Sequence, residues 1–368
     1  MHKHKKEDIK KIMKVLVIIL LFLSIINLWL MYNLNKKSSE KFVFEPAKIQ
    51  LITITNSKCL DCFNISPIVD SIKRKNVEIV KDDTLESDSI KAKELINNYG
   101  INKIPTVIVA GEVNKLGLSL QFEEKKGILF FSELEPPYTD ALTGKIKGKV
   151  SVVYLEDSLC KDCTDLTDFV LKLQENNVKI TQEIKVDISS SEGKRLVSKY
   201  DIEKVPTLIF SDDLALYEEI VDSLSIVGDV KSDGSYVLTI INPPYRNLKT
   251  NKIEGLVDVT YVTDESCLEC YNTSLHKLIL INPLGFNLKL DKEKTVDISS
   301  SEGKALLEKY NITLVPTIIL SKDADAYSSL KKIWQSVGTI EDDGTYVFRK
   351  LSEMRGPYKD LTSNKIIS

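Results

Sequence analysis

Cys160-Lys161-Asp162-Cys163 is the middle copy of a motif that recurs as Cys59-Leu60-Asp61-Cys62 and Cys267-Leu268-Glu269-Cys270. Every cysteine of the chain belongs to one of these pairs. Each pair follows a β-branched run that reads as a strand, at 51–55, 150–155 and 257–262, and precedes a segment with helical apolar spacing. That order predicts two thiols one helical turn apart at a helix N-terminus, where unpaired N–H groups and the helix dipole stabilise a thiolate. Thiol–disulfide exchange is the chemistry such a site suits.

The motif belongs to a longer repeat. VDISSSEGKRLVSKYDIEKVPTLIFS (186–211) and VDISSSEGKALLEKYNITLVPTIILS (296–321) agree at 18 of 26 positions, which marks a duplication. Cys59 to Pro105 aligns with Cys160 to Pro206 without a gap, and the third copy has three extra residues, placed near Asn282-Pro283-Leu284-Gly285. Within a repeat a strand leads to Cys-x-x-Cys, then a helix such as 165–176 and a second strand at 178–186. Ser189 and Glu192, in capping-box spacing, open a second helix ending near Tyr200, and an apolar strand follows Val205-Pro206-Thr207. This βαβ order reads as an α/β unit around a central, mostly parallel sheet. Each copy ends in a proline-tyrosine element, Pro136-Pro137-Tyr138, Pro243-Pro244-Tyr245 or Pro357-Tyr358, read as the connector to the next. Asp233-Gly234 and Asp343-Gly344 read as turns, and the first copy lacks that element.

Composition bounds the rest. The 368 residues carry a formal charge of −3 with lysines dispersed among acids, so nucleic acid is excluded as a partner outside the first 14 residues. Residues 1–14 hold six lysines and precede an uncharged run at 15–32. Eighteen helical residues span about 27 Å against a hydrocarbon thickness of ~30 Å. With Trp29 and Tyr32 at one end and lysines at the other, the run reads as a single-pass signal anchor with a cytoplasmic N-terminus and everything after it extracytoplasmic. A cleaved signal peptide is the alternative, but no small-residue cleavage site follows in Asn33-Leu34-Asn35-Lys36-Lys37. The expected organisation is a basic tail (1–14), a transmembrane helix (15–32), a linker (33–47) and three modules at 48–148, 149–254 and 255–368.

Cys-x-x-Cys after the first strand, with Ile104-Pro105-Thr106, Val205-Pro206-Thr207 or Val315-Pro316-Thr317 46 to 49 residues beyond the first cysteine, resembles the thioredoxin superfamily in all three modules. The resemblance implies an α/β fold of three tandem thioredoxin-like domains with central mixed sheets. It also implies a cis proline at Pro105, Pro206 and Pro316, facing the cysteines and holding backbone groups where an extended substrate can lie. Cys59, Cys160 and Cys267, taken as the more exposed members, would be nucleophiles, and Cys62, Cys163 and Cys270 would resolve the mixed disulfide. The family's tryptophan before the cysteines is absent, and its buried aspartate is replaced by Thr53, Tyr154 and Tyr261. Asp61, Asp162 and Glu269 stand beside the second cysteines instead, where an acid raises a thiol pKa and favours a reductase or isomerase poise.

The expected activity is therefore that of a protein thiol–disulfide oxidoreductase on cysteine-containing client proteins, without cofactor, coupled to an unidentified redox donor or acceptor. A non-catalytic peptide-binding or scaffold protein is the alternative from another class, favoured by the missing tryptophan and aspartate. A Cu(I) or zinc thiolate carrier is weaker: 97 residues separate Cys62 from Cys160, no methionine accompanies a motif, and His276 is the sole histidine outside the tail. Tyr99, Tyr200 and Tyr310 read as core or cap residues and Asp187 and Asp297 as turn acids. Either of these acids, or Asp157 and Asp264, could reach the thiols. Asn64, Asn272 and Asn311 fall in N-x-S/T sequons and are assigned no role.

Overall fold

The computed structural model describes residues 17–33, 45–118 and 121–368, so the basic tail and most of the expected linker lie outside the described residues. Residues 17–33 are helical, and their large apolar side chains are exposed, Phe22 at 65% and Leu28 at 69% among them. Among the described residues no helix is long and apolar enough to cross a membrane. Val15 and Leu16, which open the expected span, are outside them.

The middle repeat shows the architecture. Its central sheet runs Ile180–Asp187, Val150–Glu156, Thr207–Phe210, Tyr236–Leu238, Gly228–Val230. Only the first two strands are parallel, because a helix, Thr167–Glu175, connects them, while the later joins are antiparallel. The third repeat has the same order about Leu256–Thr263, and the first about Ala47–Thr55. The sheets are thus mixed, and the mostly parallel reading of the βαβ order is corrected. Where the other repeats have their Asp-Gly element, the first forms a hairpin of Phe122–Lys125 and Ile128–Phe131.

Side chains alternating along Val150–Glu156 serve two cores. Val150, Val152 and Tyr154 pack with Val170, Leu173, Leu208 and Phe210, while Leu155 packs with Leu196, Tyr200, Ile202, Val205 and Ile209 on the other face. Each such apolar side chain contributes about 1.5–3 kcal/mol by leaving water. The second helix is Ser191–Tyr200, and its cap is Ser190, which accepts from the Gly193 N–H at 2.9 Å. Ser189, the expected cap, bonds Asp187 instead, and Glu192 pairs with Arg195. At the helix end Tyr200 donates to Asp233 (3.0 Å), and Tyr310 to Asp343 (3.2 Å), tying each Asp-Gly turn to the core.

Two compact units emerge from the contacts. One ends its first segment at Thr55 and includes 64–92 and 106–133, holding the five-stranded sheet of the first repeat. The other, 56–63, 93–105 and 134–368, holds the second and third repeats together with the cysteine turn and closing hairpin of the first. Within this second unit a glycine fixes the chain at each passage between repeats. Gly148 and Gly255 have φ of +84° and +91°, and a Cβ there would stand 2.4 and 2.3 Å from the Cβ atoms of Pro136 and Pro243. Their carbonyls accept from the buried Tyr217 and Tyr327 hydroxyls at 2.7 Å, which in turn accept from the Lys179 and Lys289 N–H groups. Gly255→Ala combines a disfavoured φ with overlap at proline and should destabilise by about 2 kcal/mol. Denaturant melting checks this, and an unchanged midpoint would show that the passage is not fixed.

Candidate active site

All three pairs are closed as disulfides, Cys59–Cys62, Cys160–Cys163 and Cys267–Cys270. They do not sit in a helix. The first helices begin only at Ser66, Thr167 and Ser274, four residues past the second cysteine. The physical reason lies in the residue after each pair: Phe63, Thr164 and Tyr271 give their N–H groups to the Pro137, Pro244 and Pro357 carbonyls, each at 2.8 Å, instead of continuing a helical turn. Asn64, Asp165 and Asn272 then accept the N–H groups of Ser66, Thr167 and Ser274 at 3.1, 2.8 and 2.8 Å and start the helices there. The helix dipole fades within a turn, so the expectation of thiols at a helix N-terminus is corrected. Exposure is corrected as well. Cys59 and Cys160 are 8% exposed, whereas Cys62, Cys163 and both cysteines of the third pair are half-buried.

Ile104-Pro105, Val205-Pro206 and Val315-Pro316 are cis. The strand before each proline, Lys103–Ile104, Lys204–Val205 or Leu314–Val315, pairs antiparallel with Tyr138–Asp140, Tyr245–Asn247 or Tyr358–Asp360. The proline-tyrosine segments are therefore not bare connectors. Each opens a hairpin whose strand occupies the main-chain edge beside the proline, where open backbone groups were expected. Thr106, Thr207 and Thr317 are buried and donate to the Phe131, Leu238 and Phe348 carbonyls at 2.7, 2.5 and 2.6 Å, so their hydroxyls serve the sheet.

The hairpin is latched to the cysteine turn by a side-chain pair that sequence reading missed. Opposite Ile104, Val205 and Val315 stand Thr139, Arg246 and Lys359. Thr139 accepts from Asn56 at 3.0 Å, Arg246 pairs with Asp157, and Lys359 pairs with Asp264 at 2.6 Å. Between repeats the partners change together, from amide–hydroxyl to acid–base, and that joint exchange was the available signal. Asp157 and Asp264 are thereby spent on the hairpin. Burial pushes the Asp264 carboxyl up, but the Lys359 ammonium and the Ser266 hydroxyl hold it below the usual carboxylate range. Asp187 and Asp297 accept the Ser158 and Glu265 N–H groups at 2.8 and 2.6 Å, bracing the cysteine turn.

Of the acids inside the motifs, Asp61 lies between Lys179 (3.0 Å) and Lys149 (3.1 Å), which hold its carboxyl below its ordinary value and offset its charge. Asp162 stands 3.7 Å from Lys289, the residue matching Lys179, while Glu269 makes no ion pair among the described residues. Tyr154 and Tyr261 donate to Glu183 and Glu293 at 2.8 and 2.9 Å. Thr53 is buried. His276 is buried, its Nε2 3.0 Å from the Tyr271 hydroxyl, which donates to the Pro316 carbonyl at 2.6 Å. Burial pulls its pKa down to about 4, so it is a neutral packing residue at pH 7. Among the described residues no group of three or more His, Cys, Asp or Glu is placed to hold a metal.

Asp264→Ala leaves the mostly buried Lys359 ammonium unpaired and should cost about 3 kcal/mol. Grafting the first repeat's pair, Asp264→Asn with Lys359→Thr, should restore stability to within about 1 kcal/mol. Because the Asp264 carboxyl is depressed in the folded state, its contribution is complete above about pH 4 and fades as pH falls below it. Denaturant melts of the single and double variants at neutral and acid pH check both statements.

No family model matches the chain, and no curated protein matches its sequence. Among solved structures it is similar to ERdj5 (form II; 16% identity, TM-score 0.15, 74% of this chain and 37% of that one), so the match spans about a third of ERdj5. It is also similar to the N-terminal N/C domain of alkylhydroperoxide reductase AhpF from Enterococcus faecalis (17%, TM-score 0.16, 49% of this chain and 89% of that one). Human ERp44 is a third (12%, TM-score 0.15, 79% and 86%). Global superpositions this low define no common arrangement of the whole chains. The repeats themselves carry the architecture: a mixed sheet, a disulfide turn after the central strand and a cis proline before the next strand give all three modules the fold that their resemblance to the thioredoxin superfamily implies.

Proposed function

We propose that this chain is a membrane-anchored, extracytoplasmic thiol–disulfide oxidoreductase acting on cysteines of client proteins through its three Cys-x-x-Cys sites. The observation that carries the reading is the threefold recurrence of a four-residue disulfide turn in modules that each set a cis proline before the neighbouring strand. A disulfide that closes so short a loop contributes little to stability, since that contribution grows with loop length, and it suits reversible opening. Cys59, Cys160 and Cys267 act as nucleophiles and Cys62, Cys163 and Cys270 as resolving thiols. Ile104, Pro105 and Thr106, with Val205, Pro206, Thr207, Val315, Pro316 and Thr317, form the cis-proline loops that the resemblance assigns to substrate binding. Electrons come from or go to a separate donor or acceptor.

Anchoring is supported by the exposed apolar side chains of helix 17–33 and the lysines that precede it, which orient the modules away from the cytoplasm. The poise is that of a reductase or isomerase, nearer the roughly −270 mV of thioredoxin than the roughly −120 mV of a strong oxidant. The acid beside each second cysteine supports it, most directly at Glu269, which pairs with no lysine among the described residues.

Insulin reduction by the full chain, with dithiothreitol as donor, compared with Cys59→Ser/Cys160→Ser/Cys267→Ser, tests the reading. Loss of the accelerated reduction is expected, and equal rates would end the enzyme reading. Because Cys267 is the least buried of the three nucleophiles, Cys267→Ser alone should remove the larger share of the activity. Equal losses from the three single variants would contradict that ranking.

A further inference from the structure

The first site differs from the others in what its hairpin presents to sulfur. Thr139 Oγ1 lies 3.8 Å from Cys62 Sγ, within reach of a hydrogen bond to sulfur, and Thr139 is 1% exposed. Which atom carries the proton follows from the neighbour. The Asn56 side-chain oxygen accepts from the Lys58 N–H at 3.0 Å, which turns the amide nitrogen toward Thr139, and that nitrogen donates to Thr139 Oγ1 at 3.0 Å. With its oxygen accepting from Asn56, the threonine has its own proton left to direct at the sulfur. In the second and third modules the matching positions hold the Asp157–Arg246 and Asp264–Lys359 pairs, so this arrangement belongs to the first module alone.

We propose that the Thr139 hydroxyl, aimed by Asn56, is the hydrogen-bond donor that receives Cys62 as the leaving thiolate whenever the first disulfide is opened. This rests on the thiol-exchange reading above. In the step, the thiolate of an external low-mass thiol attacks Cys59 Sγ, forming a mixed disulfide, and the Cys59–Cys62 bond breaks. Its electron pair passes to Cys62 Sγ, where Thr139 donates, and the proton released on ionising the thiol stays in solvent. Closure by Cys62 reverses each change. A donor that stabilises the leaving thiolate speeds opening, because a thiol of lower pKa leaves faster. Thr139 touches a reacting atom, while Asn56 acts through it as a positioning residue.

The charged groups that adjoin Cys62 and Thr139 in the chain or across the strand pair are Lys58, Asp61 with its partners Lys149 and Lys179, Asp140, which accepts from Thr143, and Lys103, opposite Asp140 and over the Tyr138 ring at 5.0 Å. None of them changes in the variants that follow. In the full chain carrying Cys62 as its sole cysteine, the pH dependence of iodoacetamide alkylation reads the thiol directly. Thr139→Val should raise the Cys62 pKa by about one unit, a tenfold loss of thiolate near neutral pH. Thr139→Ser should keep the original value, and Asn56→Ala should shift it the same way as valine but less. With Cys59 restored and glutathione as the redox buffer, the valine variant's potential should match the parent where both thiols are protonated. It should become more negative by about 30 mV where Cys62 is ionised.

An unchanged Cys62 pKa in Thr139→Val would overturn the proposal. So would a shift in Thr139→Ser as large as in valine. If the valine variant fails to fold, the serine and Asn56→Ala variants still decide between the two. The sole-cysteine titration needs no disulfide exchange, so a disulfide that thiols never open would end the thiol-exchange reading without touching this measurement.

Discussion

One main-chain hydrogen bond organises each module around its cysteines: the N–H just past the second cysteine is captured by a proline carbonyl of the closing hairpin. A backbone donor in the interior must find an acceptor, and here it finds one outside the helix that the apolar spacing suggests. Three consequences follow from that capture. The helix starts only four residues past the second cysteine, the cysteine pair becomes a turn instead of a helical end, and the hairpin strand is brought against the residue before the cis proline. With the helix start moved away, the helix dipole acts little on the sulfurs, and in the first module a hairpin hydroxyl, that of Thr139, stands 3.8 Å from Cys62 Sγ.

That hairpin also makes the three sites unequal despite their common fold. In the first module a neutral amide–hydroxyl pair faces Cys62, and the acid beside it is held by two lysines of the next repeat. In the second and third the same positions are closed ion pairs, and the acid beside the second cysteine passes from a long contact with Lys289 to no ion pair among the described residues at Glu269. Burial grades the first cysteines in the same direction, from Cys59 and Cys160 at 8% exposure to the half-buried Cys267. A tandem array of this kind offers one chemistry at three different settings.

Much of the fold was legible because it depends on local pattern. The duplicated 186–211 and 296–321 stretches, the β-branched runs and the Val-Pro-Thr elements determine strands, second helices and the proline position with little help from distant residues. What was not legible depends on partners far away in the chain. The hairpin pairs Arg246 with Asp157 and Lys359 with Asp264, contacts across 89 and 95 residues, and nothing in the local spacing of either partner announces them. The late helix start has the same origin, since its cause is a carbonyl on the hairpin. The shift of the cap from Ser189 to Ser190 is a smaller instance: two serines compete, and the Asp187 carboxylate takes the first.

The account stands on cysteine pairs that open and hand one sulfur to another molecule. Replacing Cys62, Cys163 and Cys270 with alanine in the full chain leaves the first thiols without a resolving partner, so any protein disulfide they attack is held covalently. Non-reducing electrophoresis should then show adducts that disappear on reduction and that require Cys59, Cys160 or Cys267. A chain that forms no adduct with any disulfide-bearing protein would contradict the account.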